Sequence, residues 1–226
     1  MKNTTLEPKQ HSMTTNLIAA LASVPLCFAC ACGVEPAGGP EGGDPGADAT
    51  PARHCVSVPG GPATCFATFT EAIAFATGGE IADAPADSLA VRDDDGFADR
   101  INAIARQRTA DVRGGAPIPH AGDIVIGISY LDAGFHGNTW VFLEATGCDG
   151  NLLTVDFAVP NLNTKPFSDF GFNDSISSFR SFSGCQTLLN DDWFYSGPAT
   201  NNGVPITDMD FVGSLRNDKA SSIRWF

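Results

Sequence analysis

The stretch Asn173-Asp-Ser-Ile-Ser-Ser-Phe-Arg-Ser-Phe182 decides the fold, because it occurs a second time. The second copy, Asn217-Asp-Lys-Ala-Ser-Ser-Ile-Arg-Trp-Phe226, aligns without gaps, and six of the ten positions are identical. In each copy an oxygen-rich turn leads into alternating polar and apolar residues, the pattern of a strand with one buried face. The repetition of so polar a stretch, 44 residues further on, indicates that residues 123–226 consist of two similar halves.

Short apolar runs precede each copy and predict further strands. Before the first copy lie Asp123-Ile-Val-Ile-Gly-Ile-Ser-Tyr130 and Asn138-Thr-Trp-Val-Phe-Leu143, and before the second lies Gly184-Cys-Gln-Thr-Leu-Leu189. Glycine-rich turns separate the runs. Short strands, such turns and two similar halves together predict a mainly β fold, a sandwich of two Greek-key motifs.

Two signatures in this region resemble those of microbial βγ-crystallin domains, most closely the domains of secreted bacterial proteins. The first is the calcium motif (Asn/Asp)-(Asn/Asp)-x-x-(Ser/Thr)-Ser, which is matched at 173–178 and again at 217–222. The second is aromatic-x4-aromatic-x-Gly, matched by Tyr130, Phe135 and Gly137 in the first hairpin. The resemblance covers residues 123–226 and implies a βγ-crystallin-type sandwich that binds calcium.

The second hairpin departs from the aromatic signature. Tyr195 is present, but Asn190 stands where the first aromatic residue belongs. We expect the neighbouring Trp193 and Phe194 to fill the corner instead. The first half is also longer, with an insertion around 156–169, so the two halves are similar but not identical.

The chemistry of the repeated motif suits calcium, which takes six to eight hard oxygen ligands at about 2.3–2.6 Å. Each copy offers a carboxylate, a main-chain carbonyl in the next position and a hydroxyl three residues after the carboxylate. These are Asp174, Ser175 and Ser177 in the first copy and Asp218, Lys219 and Ser221 in the second. The alternative is that these Asx and Ser side chains only close the turns through bonds to the backbone.

The family resemblance adds three expectations about this site. It implies two calcium ions, with the motifs crossing over so that each ion draws ligands from both copies. It also implies a further main-chain carbonyl from each half's first hairpin, which falls near Leu131 and Asp191. Asn173 and Asn217 are then residues that fix the turns rather than ligands.

The N-terminal residues are typical of an exported protein. Residues 1–32 are predicted to be a signal peptide, because Lys2 and Lys9 precede an apolar run too short to span a membrane, about 22 Å as a helix. The run ends at Cys30-Ala-Cys32, which resembles a bacterial lipoprotein junction, so free secretion and a lipid anchor in the cell envelope both remain open. Residues 33–53, rich in Gly, Pro and acidic residues, are predicted to be a disordered tether.

Four cysteines remain after this segment, and three pairings of them are possible. We predict the local pairing, Cys55 with Cys65 and Cys148 with Cys185, which keeps each disulfide inside one compositional unit. Free buried thiols are the alternative. The first disulfide would clip a hairpin whose turn is Pro-Gly-Gly-Pro.

Residues 54–113 are predicted to form a small separate region, this hairpin followed by two short helices. The pattern Thr68-Phe-Thr-Glu71 is a capping box and predicts a helix over 69–77. Acidic residues and apolar positions at helical spacing predict a second helix over 94–107. Residues 114–122 are predicted to be a linker.

Composition excludes several classes of function. The chain has 26 acidic and 13 basic residues and a net charge of -13, so it lacks the basic surface that nucleic acids need, and we expect membrane contact only through a lipid anchor. Its histidines are isolated and no hydrolase or zinc-protease motif is present, so we predict a non-enzymatic protein. A bacterial metalloprotease inhibitor shares the crystallin-like fold, which makes inhibition of an extracellular protease the alternative function. A calcium-rigidified envelope or adhesion protein is the third.

Overall fold

The computed structural model describes residues 53–57, 62–92, 94–113 and 124–226, all within one compact unit, Asp48–Phe226. The predicted signal peptide and linker lie outside the described residues, as does the tether apart from Arg53. Within the described part of the chain, no helix has the length and apolar character needed to cross a membrane.

The described residues form a mainly β structure with two α-helices and four short 3₁₀ segments. The strands are β1 (His54–Ser57), β2 (Ala63–Phe66), β3 (Ile124–Asp132), β4 (His136–Glu144), β5 (Phe157–Val159), β6 (Ser178–Ser181), β7 (Thr187–Asn190), β8 (Asp208–Met209) and β9 (Ser222–Trp225). The α-helices are α1 (Phe69–Ala76) and α2 (Asp95–Arg113). The 3₁₀ segments are Ser88–Val91, Phe167–Phe170, Trp193–Tyr195 and Thr200–Gly203.

The strands form two sheets, and each sheet contains strands from both halves of residues 123–226. The first sheet has the order β2-β1-β4-β3-β6-β8 and the second the order β5-β9-β7. In each half the last strand lies beside the first, β6 beside β3 and β9 beside β7. The strand before the last one in each half pairs with the last strand of the other half, β5 with β9 and β8 with β6. The prediction of a mainly β sandwich with two Greek-key motifs is therefore confirmed.

The N-terminal region is not the separate unit that we expected. Strand β1 forms a hairpin with β2 and also pairs in parallel with β4, Cys55 lying opposite Trp140. The first sheet thus continues without a break from the β-sandwich into the N-terminal hairpin. The prediction of a separate unit was wrong because the hairpin pattern identifies only one of the two neighbours of β1.

Both α-helices cover the face of the first sheet that points away from the second sheet. The capping box at the start of α1 is confirmed: Glu71 N donates to Thr68 Oγ1 at 3.3 Å, and Thr68 N donates to Glu71 Oε2 at 3.2 Å. The second helix is longer than the predicted 94–107. Apolar side chains of the helices share one buried cluster with those of the sheet, among them Phe69, Ile73, Phe97, Ile101, Val125, Ile128, Val141 and Leu143.

The opposite face of the first sheet packs on the second sheet. Trp140 and Phe142 from β4 lie in one buried cluster with Ile223 and Trp225 from β9, and the rings of Phe142 and Trp225 are 4.7 Å apart. Because both faces of the sheet are covered, every residue from Ile124 to Tyr130 is buried. This explains why that strand is a continuous apolar run.

Both predicted disulfides are present. Cys55–Cys65 joins β1 to β2, and Cys148–Cys185 joins the segment after β4 to the segment before β7. The second disulfide closes a sequence separation of 37 residues and ties the first half to the second.

Candidate metal site

The repeated motif forms the same turn in both copies. Asp174 and Asp218 have φ angles of 55° and 56°, in the left-handed region that Asn and Asp enter more readily than most residues. Each carboxylate is held by the preceding amide: Asn173 Nδ2 donates to Asp174 Oδ2 at 2.6 Å, and Asn217 Nδ2 donates to Asp218 Oδ2 at 2.7 Å. The two asparagines therefore orient the carboxylates, which fits a role in fixing the turns.

The two copies cross over through side-chain hydrogen bonds. Ser221 Oγ of the second copy donates to Asp174 Oδ1 of the first at 2.7 Å, and Ser177 Oγ of the first donates to Asp218 Oδ1 of the second at 3.1 Å. Two oxygens bound to one Ca²⁺ at about 2.4 Å and about 72° apart lie about 2.8 Å from each other. Each crossed pair is thus spaced as neighbouring ligands of one calcium ion would be.

The serines of the two crossed pairs also bond to the backbone of the hairpins, one residue before each expected carbonyl ligand. Ser177 N donates to the carbonyl of Tyr130 at 3.0 Å, and Ser221 N donates to the carbonyl of Asn190 at 2.9 Å. Leu131 and Asp191 directly follow the two accepting residues. Ser175 and Lys219 likewise directly follow the left-handed Asp174 and Asp218. The candidate ligands thus follow one order along the chain in two groups. The first group is Ser177 with Asp218 beside the first hairpin, and the second group is Ser221 with Asp174 beside the second hairpin.

The last serine of each motif has a structural role that sequence reasoning missed. Ser178 Oγ donates to the carbonyl of Asp132 at 2.6 Å and accepts from Phe135 N at 3.0 Å. Ser222 Oγ makes the equivalent bonds to the carbonyl of Asp192, at 2.7 Å, and from Tyr195 N, at 3.1 Å. Both serines are fully buried and hold the tips of the hairpins beside the site. Their repetition in both copies was the signal that could have identified them.

The aromatic corner of the first hairpin forms as expected. Tyr130 is buried, and its ring meets that of Phe135 edge to face at 5.5 Å. The Arg180 guanidinium lies over the Phe135 ring, 4.4 Å from its centre. Burial raises the pKa of the Tyr130 phenol, and the positive charge of Arg180 opposes that rise. Gly137 has a φ of 79°, in the left-handed region, and a Cβ there would also meet the Asp132 carboxylate, so this position favours glycine.

The second corner is built differently from our expectation. Trp193 and Phe194 do not fill it, because they are 47% and 71% exposed. Asn190 is buried in the position equivalent to Tyr130, and Arg224 Nη2 donates to its Oδ1 at 3.2 Å. The same guanidinium lies 5.3 Å from the centre of the Tyr195 ring. A polar pair thus replaces the first aromatic residue, and the two bulky side chains point to solvent.

The second group of ligands faces an open cavity of about 540 Å³. Asp174, Asp191, Asp192 and Ser221 line it. The Asp191 carboxylate also forms an ion pair with Arg216, and both side chains are mostly buried. The first hairpin has Leu131 at the position of Asp191, so the two groups differ in charge although their crossed pairs are alike.

The donor chemistry of both groups fits calcium rather than a softer metal. In the described residues no three His, Cys, Asp or Glu side chains are grouped to hold a metal. An ion would instead be held by one or two carboxylates together with hydroxyl and carbonyl oxygens, a hard donor set that Ca²⁺ accepts.

Asn173 Oδ1 and Asn217 Oδ1 are buried without a hydrogen-bond partner in both copies. Unpaired buried acceptors are costly, which favours a bound cation or water in these turns.

Comparisons with known proteins identify domains of one kind. No protein-family profile and no curated protein matches the sequence. Among solved structures the chain is similar to a βγ-crystallin domain from Flavobacterium johnsoniae, with 26% identity over 45% of this chain and 93% of that one, at a TM-score of 0.31. It is also similar to a βγ-crystallin domain from Clostridium beijerinckii, with 17% identity over 45% of this chain and 97% of that one, at a TM-score of 0.33. A βγ-crystallin from Ciona intestinalis has 23% identity over 44% of this chain and 98% of its own, at a TM-score of 0.30. TM-scores of this size carry no argument alone, so the fold rests on the strand order and hydrogen bonds given above.

Proposed function

We propose that the chain is an exported, non-enzymatic calcium-binding protein in which two ions stabilise the two-motif β-sandwich. The observation that supports this function best is the pair of crossed hydrogen bonds, Ser221 with Asp174 and Ser177 with Asp218. In each pair two oxygens from different halves lie at the spacing of calcium ligands, so an ion bound there would tie the halves together. An ion that binds only the folded chain stabilises it by mass action.

The test is thermal unfolding in EDTA and in millimolar calcium, with a calorimetric titration. Saturation at about 100 times the Kd stabilises the folded state by about 2.7 kcal/mol per independent site. Two filled sites should therefore raise the Tm by about 10 °C or more in a domain of this size. Asp174→Ala and Asp218→Ala should each remove part of the rise, whereas Asp99→Ala, an exposed residue on α2, should leave it intact. Superimposable melting curves with no heat of binding would refute the proposal and leave the motifs as turn architecture.

Export rests on the N-terminal sequence and has its own test. We propose that the mature chain begins near Cys32, either with a lipid on that residue or free. Intact-mass measurement on membrane and medium fractions separates the two forms. A mass that still includes Met1 would overturn export, and an unlipidated species in the medium would overturn the anchor.

A further inference from the structure

The tip of the second hairpin presents two exposed aromatic side chains beside the candidate calcium site. Trp193 and Phe194 are 47% and 71% exposed, and both line the cavity of about 540 Å³ that contains Asp174, Asp191 and Ser221. A cavity of this size is in the range of small-molecule sites and is much larger than one ion requires. Adjacent exposed aromatic rings next to polar groups are typical of a binding surface.

The equivalent tip of the first hairpin shows that folding does not require these side chains. Ala133 and Gly134 occupy the positions of Trp193 and Phe194. Gly134 has a φ of 74° and Phe194 a φ of 54°, so both residues lie in the left-handed region that favours glycine. Phe194 is held there by its amide, which donates to the carbonyl of Pro160 at 2.8 Å. An exposed phenylalanine kept in a glycine conformation points to a role in binding.

We propose that this cavity binds a neutral saccharide, with vicinal hydroxyl groups directed to the calcium ion and a sugar face packed on Trp193 and Phe194. The inference rests on the proposed calcium function. The protein supplies few of the six to eight oxygens that Ca²⁺ takes, so an ion held by Asp174 and Ser221 would have positions open to water, which two sugar hydroxyls could replace. The aromatic rings offer a flat apolar surface to the C–H groups of the sugar.

The charge of the site favours a neutral ligand over an anionic one. Three carboxylates, those of Asp174, Asp191 and Asp192, line the cavity, and Arg216 is paired with one of them. A bound Ca²⁺ would bring the local net charge to zero, and the whole chain carries a net charge of -13. Anionic lipid headgroups are therefore not attracted to this surface. Carboxylates and the Ser196 hydroxyl at the cavity wall are suited to hydrogen bonds with sugar hydroxyls.

The experiment titrates the full mature chain with methyl α-D-mannopyranoside, methyl β-D-galactopyranoside and methyl α-L-fucopyranoside, which present vicinal hydroxyls in different orientations. Tryptophan fluorescence reports on the site, because Trp193 is exposed whereas Trp140 and Trp225 are buried. We expect at least one glycoside to change the fluorescence in calcium and to have no effect in EDTA. Calorimetric calcium titration of the same sample reports separately on the proposed function.

The decisive variant combines Trp193→Ala with Phe194→Gly, which gives the second hairpin the tip sequence of the first. We expect glycoside binding, measured by calorimetry, to weaken by about tenfold or more, while the calcium affinity and the Tm rise in calcium are retained. Phe211→Ala, which changes an exposed aromatic residue outside the cavity lining, is the matched control and should bind as the parent does.

The outcomes separate the two proposals. Absence of calcium binding overturns the proposed function itself. Calcium binding without a response to any of the three glycosides overturns the saccharide inference alone, as does glycoside binding that survives in EDTA or in the double variant. Calcium-dependent binding to phosphatidylserine vesicles that the double variant loses would assign the aromatic tip to a membrane surface and equally overturn it.

Discussion

Ser221 donates a 2.7 Å hydrogen bond to the carboxylate of Asp174, 47 positions earlier in the chain and in the other copy of the motif. Ser177 and Asp218 form the equivalent bond in the opposite sense, at 3.1 Å. Each candidate metal site therefore depends on both copies of the motif. One consequence is that a single substitution in either copy affects one site directly and leaves the crossed pair of the other site complete.

The crossed pairs predict which substitutions are coupled. Asp174→Ala and Ser221→Ala remove two partners of the same bond, so the double variant should lose less stability than the two single losses combined, with a coupling of about 1–2 kcal/mol. Asp174→Ala with Ser177→Ala removes one group from each pair, so the coupling between these two changes should be smaller. Denaturant unfolding in EDTA measures both cycles. Additive losses for Asp174 and Ser221 would contradict the crossed arrangement.

Because the first sheet continues into the N-terminal region, we predict that residues 123–226 alone do not form a stable, monomeric domain. Removal of the N-terminal region uncovers Val125, Ile128, Val141 and Leu143, each at most 3% exposed in the full unit. Burial of such a side chain contributes about 1.5–3 kcal/mol, so the fragment should be less stable and should bind a hydrophobic dye or self-associate. Size-exclusion chromatography and dye fluorescence against residues 48–226 test this. A monomeric fragment with the Tm of the longer chain would show that the N-terminal region is dispensable.

Because His54 is buried, we predict that the folded state loses stability in mildly acidic solution. Its ring is buried, Nδ1 lies 2.9 Å from Thr139 Oγ1, and burial lowers the pKa of the imidazole, an effect that Asp87 opposes. The folded state therefore binds fewer protons than the unfolded state, so the stabilisation is complete above the ordinary pKa of 6.5 and is lost as the pH falls through that value toward the lowered pKa.

Unfolding free energies measured between about pH 7.5 and pH 5.5 test the role of His54. His54→Asn should flatten the pH dependence over this range. An unchanged slope in His54→Asn would assign the acid sensitivity to other groups.

The two disulfides should contribute unequally to stability. Loop-entropy arguments give about 3 kcal/mol for Cys55–Cys65, with a separation of 10 residues, and about 4 kcal/mol for Cys148–Cys185, with a separation of 37. Replacement of each pair by serine and chemical denaturation measure the difference. Loss of Cys55–Cys65 should also loosen the edge of the first sheet, visible as faster amide exchange in β1, because β2 then keeps only its hydrogen bonds to β1 and its side-chain packing, such as that of Phe66 on Phe75. Equal losses for both pairs would mean that strain or packing outweighs loop length.

Much of the local structure could be predicted from the sequence. The turn at Asp174 and Asp218, the capping box at Thr68 and the hairpin closed by Cys55 and Cys65 depend on residues close together in the chain. Their hydrogen bonds and spacing are therefore visible in short stretches of sequence. The crossing of the two motifs was expected only through the family resemblance, because no local pattern pairs Ser221 with Asp174.

Only the tertiary structure decided which distant segments of the chain pair with or pack against each other. The sequence by itself predicted the repeated motif, the strands β3, β4, β6, β7 and β9, and the local cysteine pairing as the preferred one of three. It did not determine that β1 pairs in parallel with β4, 85 positions away at His54 and Thr139, or that α1 and α2 cover the sheet, because a buried apolar run such as Ile124–Tyr130 does not specify its neighbours. Trp193 and Phe194 were wrongly predicted to fill the second corner for the same reason. Hydrophobicity favours burial, but the hydrogen-bonded pair of Arg224 and Asn190 occupies the corner, and the two aromatic side chains remain 47% and 71% exposed.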